Sequence, residues 1–138
     1  MRTVLFIPLA LVLATASAAA GDSRADRQAR EAAAHQATIA AALKGLHPAG
    51  KQDCINLRDA QSTVRAGDTI IYKDAGRRRA YVTETSGGCF GLDRGDAIVT
   101  RTYSGQLCRG DIARTVDFTS HFESGSCALG DFTLYKAS

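Results

Sequence analysis

Four cysteines are the residues whose type and spacing indicate chemistry most directly in this chain: Cys54, Cys89, Cys108 and Cys127. The gaps between them are long, no C-x-x-C occurs, and no histidine accompanies a cysteine at a metal-binding spacing. Zinc sites usually take two ligands from nearby positions, so this spacing favours disulfides over a metal centre. The sequence therefore predicts two disulfide bonds, no metal site, no cofactor and no free thiol to act as a nucleophile.

The pairing of these cysteines is less constrained, because four cysteines allow three connectivities and sequence alone does not choose among them. A geometric argument favours Cys89–Cys108 together with Cys54–Cys127. A two-residue turn at Ser104-Gly105 would place Cys108 beside the strand that follows Cys89. The other pair would then join the first strand to the last.

Three consecutive arginines, Arg77, Arg78 and Arg79, follow the tip of a predicted hairpin. Guanidinium groups bind phosphate and other anions in a bidentate manner, so these residues are candidates for an anion-binding site. The alternative is an ordinary solvated hairpin face, since Asp74 and Glu84 lie near enough in sequence to balance the charge.

Asp117, Ser120 and His121 lie close together in sequence and invite comparison with nucleophilic catalysis. Hydrolytic triads take their members from different elements and need an oriented Ser–His pair with an oxyanion hole. Here the serine and histidine are adjacent in a polar loop, and no G-x-S-x-G occurs. The sequence predicts no catalytic residue from this group, but two aspartates brought together by the fold stay open as a hydrolytic site.

Arg-Gly-Asp occurs twice, at 94–96 and 109–111. An exposed loop with this motif can act as an adhesion ligand, but three residues are a weak signal. Gly-Asp also occurs at 67–68 and 130–131 without the arginine, and each pair stands before a predicted strand. The motif is therefore better interpreted as a strand-entry turn, with glycine at positive φ and aspartate bonding the backbone beyond it.

The first twenty residues have the pattern of a secretory signal peptide, with Arg2, an apolar run from Val4 to Ala14, and small residues up to Ala20. The apolar run is too short to span a bilayer, and no cysteine precedes Cys54, which excludes a lipid-modified cysteine at the cleavage point. We therefore expect a periplasmic or secreted protein that does not span the membrane, a setting that suits disulfides.

The charge of the expected mature chain is close to neutral. Removing Arg2 lowers Lys+Arg from 17 to 16 against 14 Asp+Glu, which leaves a net charge of about +2. Charges of both signs are interspersed, which is typical of a solvated surface. This balance argues against nucleic acid as a partner.

Residues 21–50 are predicted to form a helical spacer. Ser23 with Asp26 fits a capping box, and Ile39, Leu43 and Leu46 form an apolar stripe at helical spacing. We expect a helix over 23–45 whose first half, with only alanines to bury, stays exposed. An interfacial membrane helix is the alternative, but bulky apolar residues are too few. A loosely docked helix that can be deleted at little cost is the favoured interpretation.

Residues 51–138 are predicted to form one four-cysteine β domain. Short runs rich in β-branched and aromatic residues alternate with Gly, Asp and Ser turns. The predicted strands are 55–64, 69–73, 79–85, 97–103, 106–108, 112–118 and 132–135. The expected fold is all-β: a small antiparallel sheet, curved or closed into a barrel, stapled by two disulfides and preceded by an N-terminal helix.

Five motifs follow one another in order: Cys54-Ile55, Gly67-Asp68-Thr69-Ile70-Ile71-Tyr72, Cys89-Phe90-Gly91-Leu92, Leu107-Cys108-Arg109-Gly110-Asp111-Ile112 and Cys127-Ala128-Leu129-Gly130-Asp131-Phe132. This order resembles a family of small exported proteobacterial proteins of unknown function. The resemblance covers about Cys54 to Tyr135, leaves the 23–45 helix outside, and implies an all-β disulfide domain in the periplasm. It implies no activity and no catalytic residues.

Three functions stay open. The leading hypothesis is a non-catalytic binding or envelope-accessory module whose partner is an envelope protein or a glycan. The second is a small inhibitor of a cell-wall hydrolase that presents the polar loop Thr119–Ser126, which Cys127 ties down. The third is a hydrolase with dispersed carboxylates.

Overall fold

The structure is a computed structural model that describes residues 23–138, so the predicted signal peptide lies outside the described residues. Helix α1 (Arg24–Ala42) begins at the predicted capping box, in which Ser23 Oγ accepts from the Asp26 N–H and the Asp26 carboxylate accepts from the Ser23 N–H. Residues 24–34 are all exposed, as predicted for the first half of the helix. Within residues 23–138, no helix has the length and apolar character needed to cross a membrane.

Nine strands follow α1 in the described part of the chain, with a short 3₁₀ turn at Leu57–Asp59. The strands are β1 (Leu46–Gln52), β2 (Cys54–Asn56), β3 (Ser62–Ala66), β4 (Thr69–Lys73), β5 (Arg79–Gly88), β6 (Ala97–Thr100), β7 (Gln106–Cys108), β8 (Ile112–Val116) and β9 (Glu123–Ala137).

Seven of these strands form one antiparallel sheet in the order β3-β4-β5-β9-β8-β6, and β1 also pairs with β9. The long strand β9 is central: β5 lies along one of its edges, while β8 and then β1 share the other. The sheet curls into a half-barrel. The predicted all-β antiparallel fold, with two disulfides and an N-terminal helix, is therefore confirmed.

The half-barrel is bridged between its two outermost strands by a side chain. Arg65 in β3 donates from Nη1 to the carbonyl oxygen of Asp96 at 2.5 Å, immediately before β6 begins at Ala97. In the described chain β3 and β6 are not paired as neighbouring strands, so the sheet does not close into a full barrel.

The predicted cysteine pairing is wrong, and the cause is the position of β7. This strand follows β6 closely in sequence, but it pairs with β2 in a separate two-stranded sheet. Gly105, with φ 71°, reverses the chain, and its carbonyl accepts from the Leu57 N–H at 3.0 Å. Cys54 and Cys108 are therefore directly opposite, with Cα atoms 3.9 Å apart, and form the first disulfide.

The second disulfide joins Cys89 to Cys127, with Cα atoms 5.2 Å apart. Strand β5 runs on to Gly88 and pairs with the first half of β9, which places Gly87 opposite Cys127. Cys89 is the residue that follows this ladder, so its sulfur meets Cys127. The length of β5 and β9, which the sequence prediction underestimated, thus fixes this second pair.

Both faces of the sheet are buried in part. The inner face carries the main core, in which Ile55 and Leu107 from the β2–β7 sheet pack with Phe132 of β9. The opposite face of β4 and β5 carries a second cluster of Ala42, Ile71 and Ala80, against which residues of α1 and the strands pack, including Ile39, Leu43 and Val82. The last turns of α1 therefore dock on the sheet.

The segment predicted as a helical spacer contains a strand. The helix ends at Ala42, Gly45 turns the chain with φ 77°, and β1 starts at Leu46 and pairs with the end of β9. Nothing in His47-Pro48-Ala49-Gly50 favours a strand. The pairing with an available edge of β9 decides its conformation.

Candidate functional site

The three predicted anion-binding arginines differ in their surroundings. The Asp74 carboxylate accepts from the backbone N–H groups of Arg78 and Arg79 and from Arg79 Nε at 3.4 Å. Arg79 also lies 3.8 Å from an Asp59 oxygen. Arg77 and Arg78 are exposed and make no ion pair with a described residue. An anion-binding role for all three stays a prediction, and Arg79 already has acidic partners.

Asp117 and Ser120 organise a turn instead of forming a catalytic pair. Asp117 Oδ1 accepts from the Thr119 N–H, from the Ser120 N–H and from Ser120 Oγ, at 2.7 to 2.9 Å. The hydrogen bonds from Ser120, followed by that from Thr119, hold the pKa of the Asp117 carboxyl below its usual value. The Ser120 hydroxyl therefore donates to Asp117, and no bond from it to the exposed His121 imidazole is found in the described chain.

Neither Arg-Gly-Asp motif offers a free carboxylate. Asp96 is only 4% exposed, and its Oδ2 accepts from Ser124 Oγ at 2.5 Å and from Arg94 Nη2 at 3.3 Å. Asp111 Oδ2 accepts from the Cys108 N–H at 2.8 Å. Gly95 and Gly110 have positive φ, as the turn interpretation predicts. The predicted aspartate bond to the backbone beyond is not found among the described residues, because Asp96 bonds side chains and Asp111 bonds the Cys108 N–H that precedes it.

Asp96 is the centre of a buried polar cluster that sequence reasoning missed. Ser124 Oγ lies 2.9 Å from Thr115 Oγ1, and Thr115 Oγ1 lies 3.3 Å from the Gly125 carbonyl oxygen. Gly91 must lack a side chain, because an added Cβ would collide with the Asp96 carboxylate and lie 2.5 Å from Ser124 Oγ. Through these hydrogen bonds the cluster links the 89–96 loop to Thr115 of β8 and Ser124 of β9.

This cluster also bears on the hydrolase hypothesis. A carboxylate-pair hydrolase needs two acidic side chains close together in a cleft. Asp96 is the one acidic residue of the described chain that is buried, and its neighbours are hydroxyl groups and a guanidinium. The described residues therefore contain no pair of buried carboxylates.

An exposed apolar surface lies on the outer side of β6 and β8. Ala113 and Thr115 of β8 point into the core and are fully buried, so Ile112, Arg114 and Val116 point outwards. Together with neighbours on β6 and β9 they line a hollow of about 450 Å³, which we call the β6–β8 face: Val99, Arg101, Ile112, Arg114, Val116 and Glu123. Ile112 is 53% exposed and Val99 44% exposed.

Two exposed aromatic side chains lie in the loop that joins β8 to β9. Phe118 is 70% exposed and Phe122 is 77% exposed. Both lie in the loop 117–122, which starts directly after Val116 and ends directly before Glu123, and both of these flanking residues line the β6–β8 face. A hydrogen bond of 3.0 Å from the Asp117 N–H to the Phe122 carbonyl closes the loop. The aromatics are therefore carried on a short, internally bonded loop beside the face.

One strand edge and one charged side chain of the face have no partner in the described chain. Strand β6 is the last strand in the sheet order, so one of its edges has no partner strand. Arg114 lies 3.2 Å from Glu123, whereas Arg101 makes no ion pair with a described residue. The surface is thus apolar with a net basic character. A complementary partner would carry apolar side chains and some acidic groups.

The sequence contained part of this information. The predicted inhibitor loop Thr119–Ser126 overlaps the loop 117–122, although residues 123–126 belong to β9. The apolar face itself was missed, because β8 reverses the usual pattern. It places small Ala113 and Thr115 inwards and larger Ile112 and Val116 outwards, so alternation did not reveal which side is exposed.

The chain belongs to DUF6491, a family of unknown function, whose model matches residues 1–128. The match includes the N-terminal segment, which the sequence resemblance left outside. It stops before the Gly130-Asp131 pair and the last part of β9. No curated protein and no solved structure matches the chain.

Proposed function

We propose that this DUF6491 protein is an exported, non-catalytic module that binds another protein through the β6–β8 face and the loop 117–122. The observation that carries the proposal is the exposure of Phe118 and Phe122 in the loop between Val116 and Glu123, two residues that line the β6–β8 face. Exposed apolar residues that cluster in one region mark interaction sites more often than single exposed residues do.

The energetic argument favours a protein over a glycan. Burying a phenylalanine side chain is worth about 1.5–3 kcal/mol, and aromatic side chains supply much of the binding energy in protein interfaces. The β6–β8 face is lined mainly by aliphatic and charged side chains and has few hydroxyl or amide groups. A sugar presents many hydroxyl groups and would leave part of them unpaired against the aliphatic half of this lining.

Export rests on two features. Residues 1–20 have the signal-peptide pattern. All four cysteines are paired in disulfides, which persist in oxidising compartments. A periplasmic or secreted location fits both features.

A second candidate function is inhibition of a cell-wall hydrolase, and the geometry of the loop 117–122 favours it. Inhibitors present a rigid segment to the enzyme, because a pre-organised loop loses less entropy on binding. Asp117 holds this loop with three hydrogen bonds, and the Cys89–Cys127 disulfide secures β9 a few residues beyond it. In this case the partner would be an enzyme whose cleft accepts Phe118 or Phe122.

Affinity capture from an envelope extract tests the proposal. Three purified proteins serve as baits: the native chain, a double variant with Phe118→Ser and Phe122→Ser, and a control variant with Phe90→Ser. Phe90 is 77% exposed, the same as Phe122, but lies in a different loop. We expect quantitative mass spectrometry to find a protein that binds the native chain and the Phe90→Ser control but not the double variant.

Equal recovery of every protein by all three baits would contradict the proposal. A captured hydrolase that the native chain inhibits, and that the double variant leaves active, would select the inhibitor function over a general binding role.

A further inference from the structure

A second concave surface lies on strands β1, β9 and β5. It is a cleft of about 490 Å³ that includes Lys51, Glu84, Ser86, Asp131, Thr133 and Tyr135, and we call it the β1–β5 cleft. It shares no residue with the β6–β8 face. A ligand of the cleft would therefore be independent of the partner proposed above.

A bulge and a glycine shape the cleft. The pairing of β5 with β9 shifts between Thr83 and Thr85, and Gly130 lies at this irregularity. An added Cβ at Gly130 would lie only 2.6 Å from the Glu84 carbonyl oxygen. Glycine is thus needed for the two backbones to approach, and its missing side chain leaves the floor of the cleft open.

The cleft contains one cation and one anion that pair with nothing in the described chain. Lys51 and Glu84 are both exposed and take part in no ion pair within 4.0 Å. Asp131 differs, because Arg109 Nε lies 3.4 Å from one of its oxygens. The lysine ammonium and the Glu84 carboxylate are therefore the charges free to meet a ligand.

The register explains why these two charges do not meet. Lys51 lies opposite Thr133, and Thr133 lies opposite Val82, so the three residues form one row across the sheet. Glu84 lies two residues beyond Val82 on β5. Since neighbouring strands are about 4.8 Å apart, Lys51 stands about 10 Å from the strand that carries Glu84. A small molecule with two opposite charges fits between them.

The other walls suit such a molecule. The hydroxyl groups of Ser86 and Thr133 offer hydrogen bonds, and the half-buried Tyr135 gives an apolar wall with a polar tip. We infer that the β1–β5 cleft binds a small zwitterion of the dipeptide class, with its ammonium group at Glu84 and its carboxylate at Lys51.

The test uses three matched probes: dialanine, N-acetyl-dialanine, which lacks the ammonium group, and dialanine amide, which lacks the carboxylate. Each is titrated into the purified chain while backbone amide signals are followed by NMR. We expect saturable shifts with dialanine at Glu84, Ser86, Asp131 and Thr133. Each blocked probe should bind about fivefold more weakly, since it loses one ion pair.

Two variants assign the charges. Lys51→Met should bind dialanine and dialanine amide with equal affinity, and Glu84→Gln should bind dialanine and N-acetyl-dialanine with equal affinity. Lys44→Met, which removes an exposed lysine outside the cleft, should behave like the native chain. The inference is overturned if dialanine gives no saturable shift, if its shifts lie elsewhere, or if blocked probes bind the native chain as tightly as dialanine.

Discussion

At the scale of single residues, Asp96 and Tyr72 are two buried polar groups with opposite surroundings. Asp96 accepts hydrogen bonds from Ser124 and Arg94, so its burial is compensated within the protein. The Tyr72 hydroxyl is buried and has no hydrogen-bond partner among the described residues. One group should therefore stabilise the fold, and the other should weaken it.

Replacing Asp96 tests the first case. Asp96→Ala should lower the free energy of unfolding by about 1–3 kcal/mol, because the part-buried Ser124 hydroxyl loses its carboxylate acceptor, whereas the exposed Arg94 can bond water. Thermal melting followed by circular dichroism measures the change, with Asp68→Ala as the control at an exposed aspartate. Equal melting points for the two variants would show that the cluster does not stabilise the fold.

Tyr72→Phe tests the second case. The substitution keeps the ring, which lies 6.2 Å from the Phe132 ring, and removes the unpartnered hydroxyl, so the free energy of unfolding should rise by about 1 kcal/mol. Burial also raises the pKa of Tyr72 to about 12. The folded state therefore favours the neutral phenol. Below pH 10 the titration of Tyr72 does not change the free energy of unfolding, and between pH 10 and about 12 this free energy falls.

Urea unfolding across this alkaline range is the measurement. The native protein should lose stability between pH 10 and 12 more steeply than Tyr72→Phe does. Tyr103→Phe, at a fully exposed tyrosine, should follow the native curve. Parallel curves for the native protein and Tyr72→Phe would contradict this account.

At the scale of elements, α1 divides into two parts. Residues 24–34 are exposed, whereas Ile39, Ala42 and Leu43 cover Ile71 and Ala80 on the outer side of the sheet. His35 adds a polar contact, with Nε2 3.2 Å from an Asp93 oxygen. The expectation that the whole helix is dispensable therefore stays a prediction for its first half, while the last turns cover core residues.

Ile39→Ala should lower the free energy of unfolding by about 1–2 kcal/mol, because it removes a partly buried side chain from this contact. Arg27→Ala, in the exposed first half, should change it by less than about 0.5 kcal/mol. Urea unfolding of both variants measures the difference. A helix that is only a spacer would give the same small change for both.

The elements also show what the sequence could and could not reveal. Strand β4 was predicted to the residue, because an apolar run is bounded by Gly67-Asp68 and Asp74-Ala75-Gly76. Strand β9 was predicted only for 132–135, although it starts at Glu123. Its first half, rich in Ser and Gly, has little intrinsic strand preference, and pairing along both edges overrides this. The pairing of β7 with β2 depends on how the chain folds between these distant segments, so the sequence did not predict it.

At the scale of the whole molecule, a half-barrel is held by two disulfides in different places. Cys54–Cys108 fixes the small β2–β7 sheet, and Cys89–Cys127 joins the 89–96 loop to the central strand. They are 54 and 38 residues apart in sequence, so loop entropy assigns each a stabilisation of about 4 kcal/mol. A domain of this size has little core to compensate for the loss of either bond.

Peptide mapping without reduction checks the pairing directly. We expect linked peptides for Cys54–Cys108 and Cys89–Cys127. A variant with Cys89→Ala and Cys127→Ala should lose several kcal/mol of stability, measured by urea unfolding. Linked peptides for Cys89–Cys108 would overturn the strand pairing described here, since β7 would then have to lie beside the main sheet.

Site-specific photo-crosslinking in the envelope tests the proposed protein-binding surface most directly. Phe122 is replaced by the photoreactive p-benzoylphenylalanine in one variant, and Phe90, equally exposed, in another. Irradiation should join the variant at position 122 to one discrete partner protein, visible as a single band of higher mass, and should leave the variant at position 90 without it. The same adduct at both positions, or none at position 122, would contradict the account.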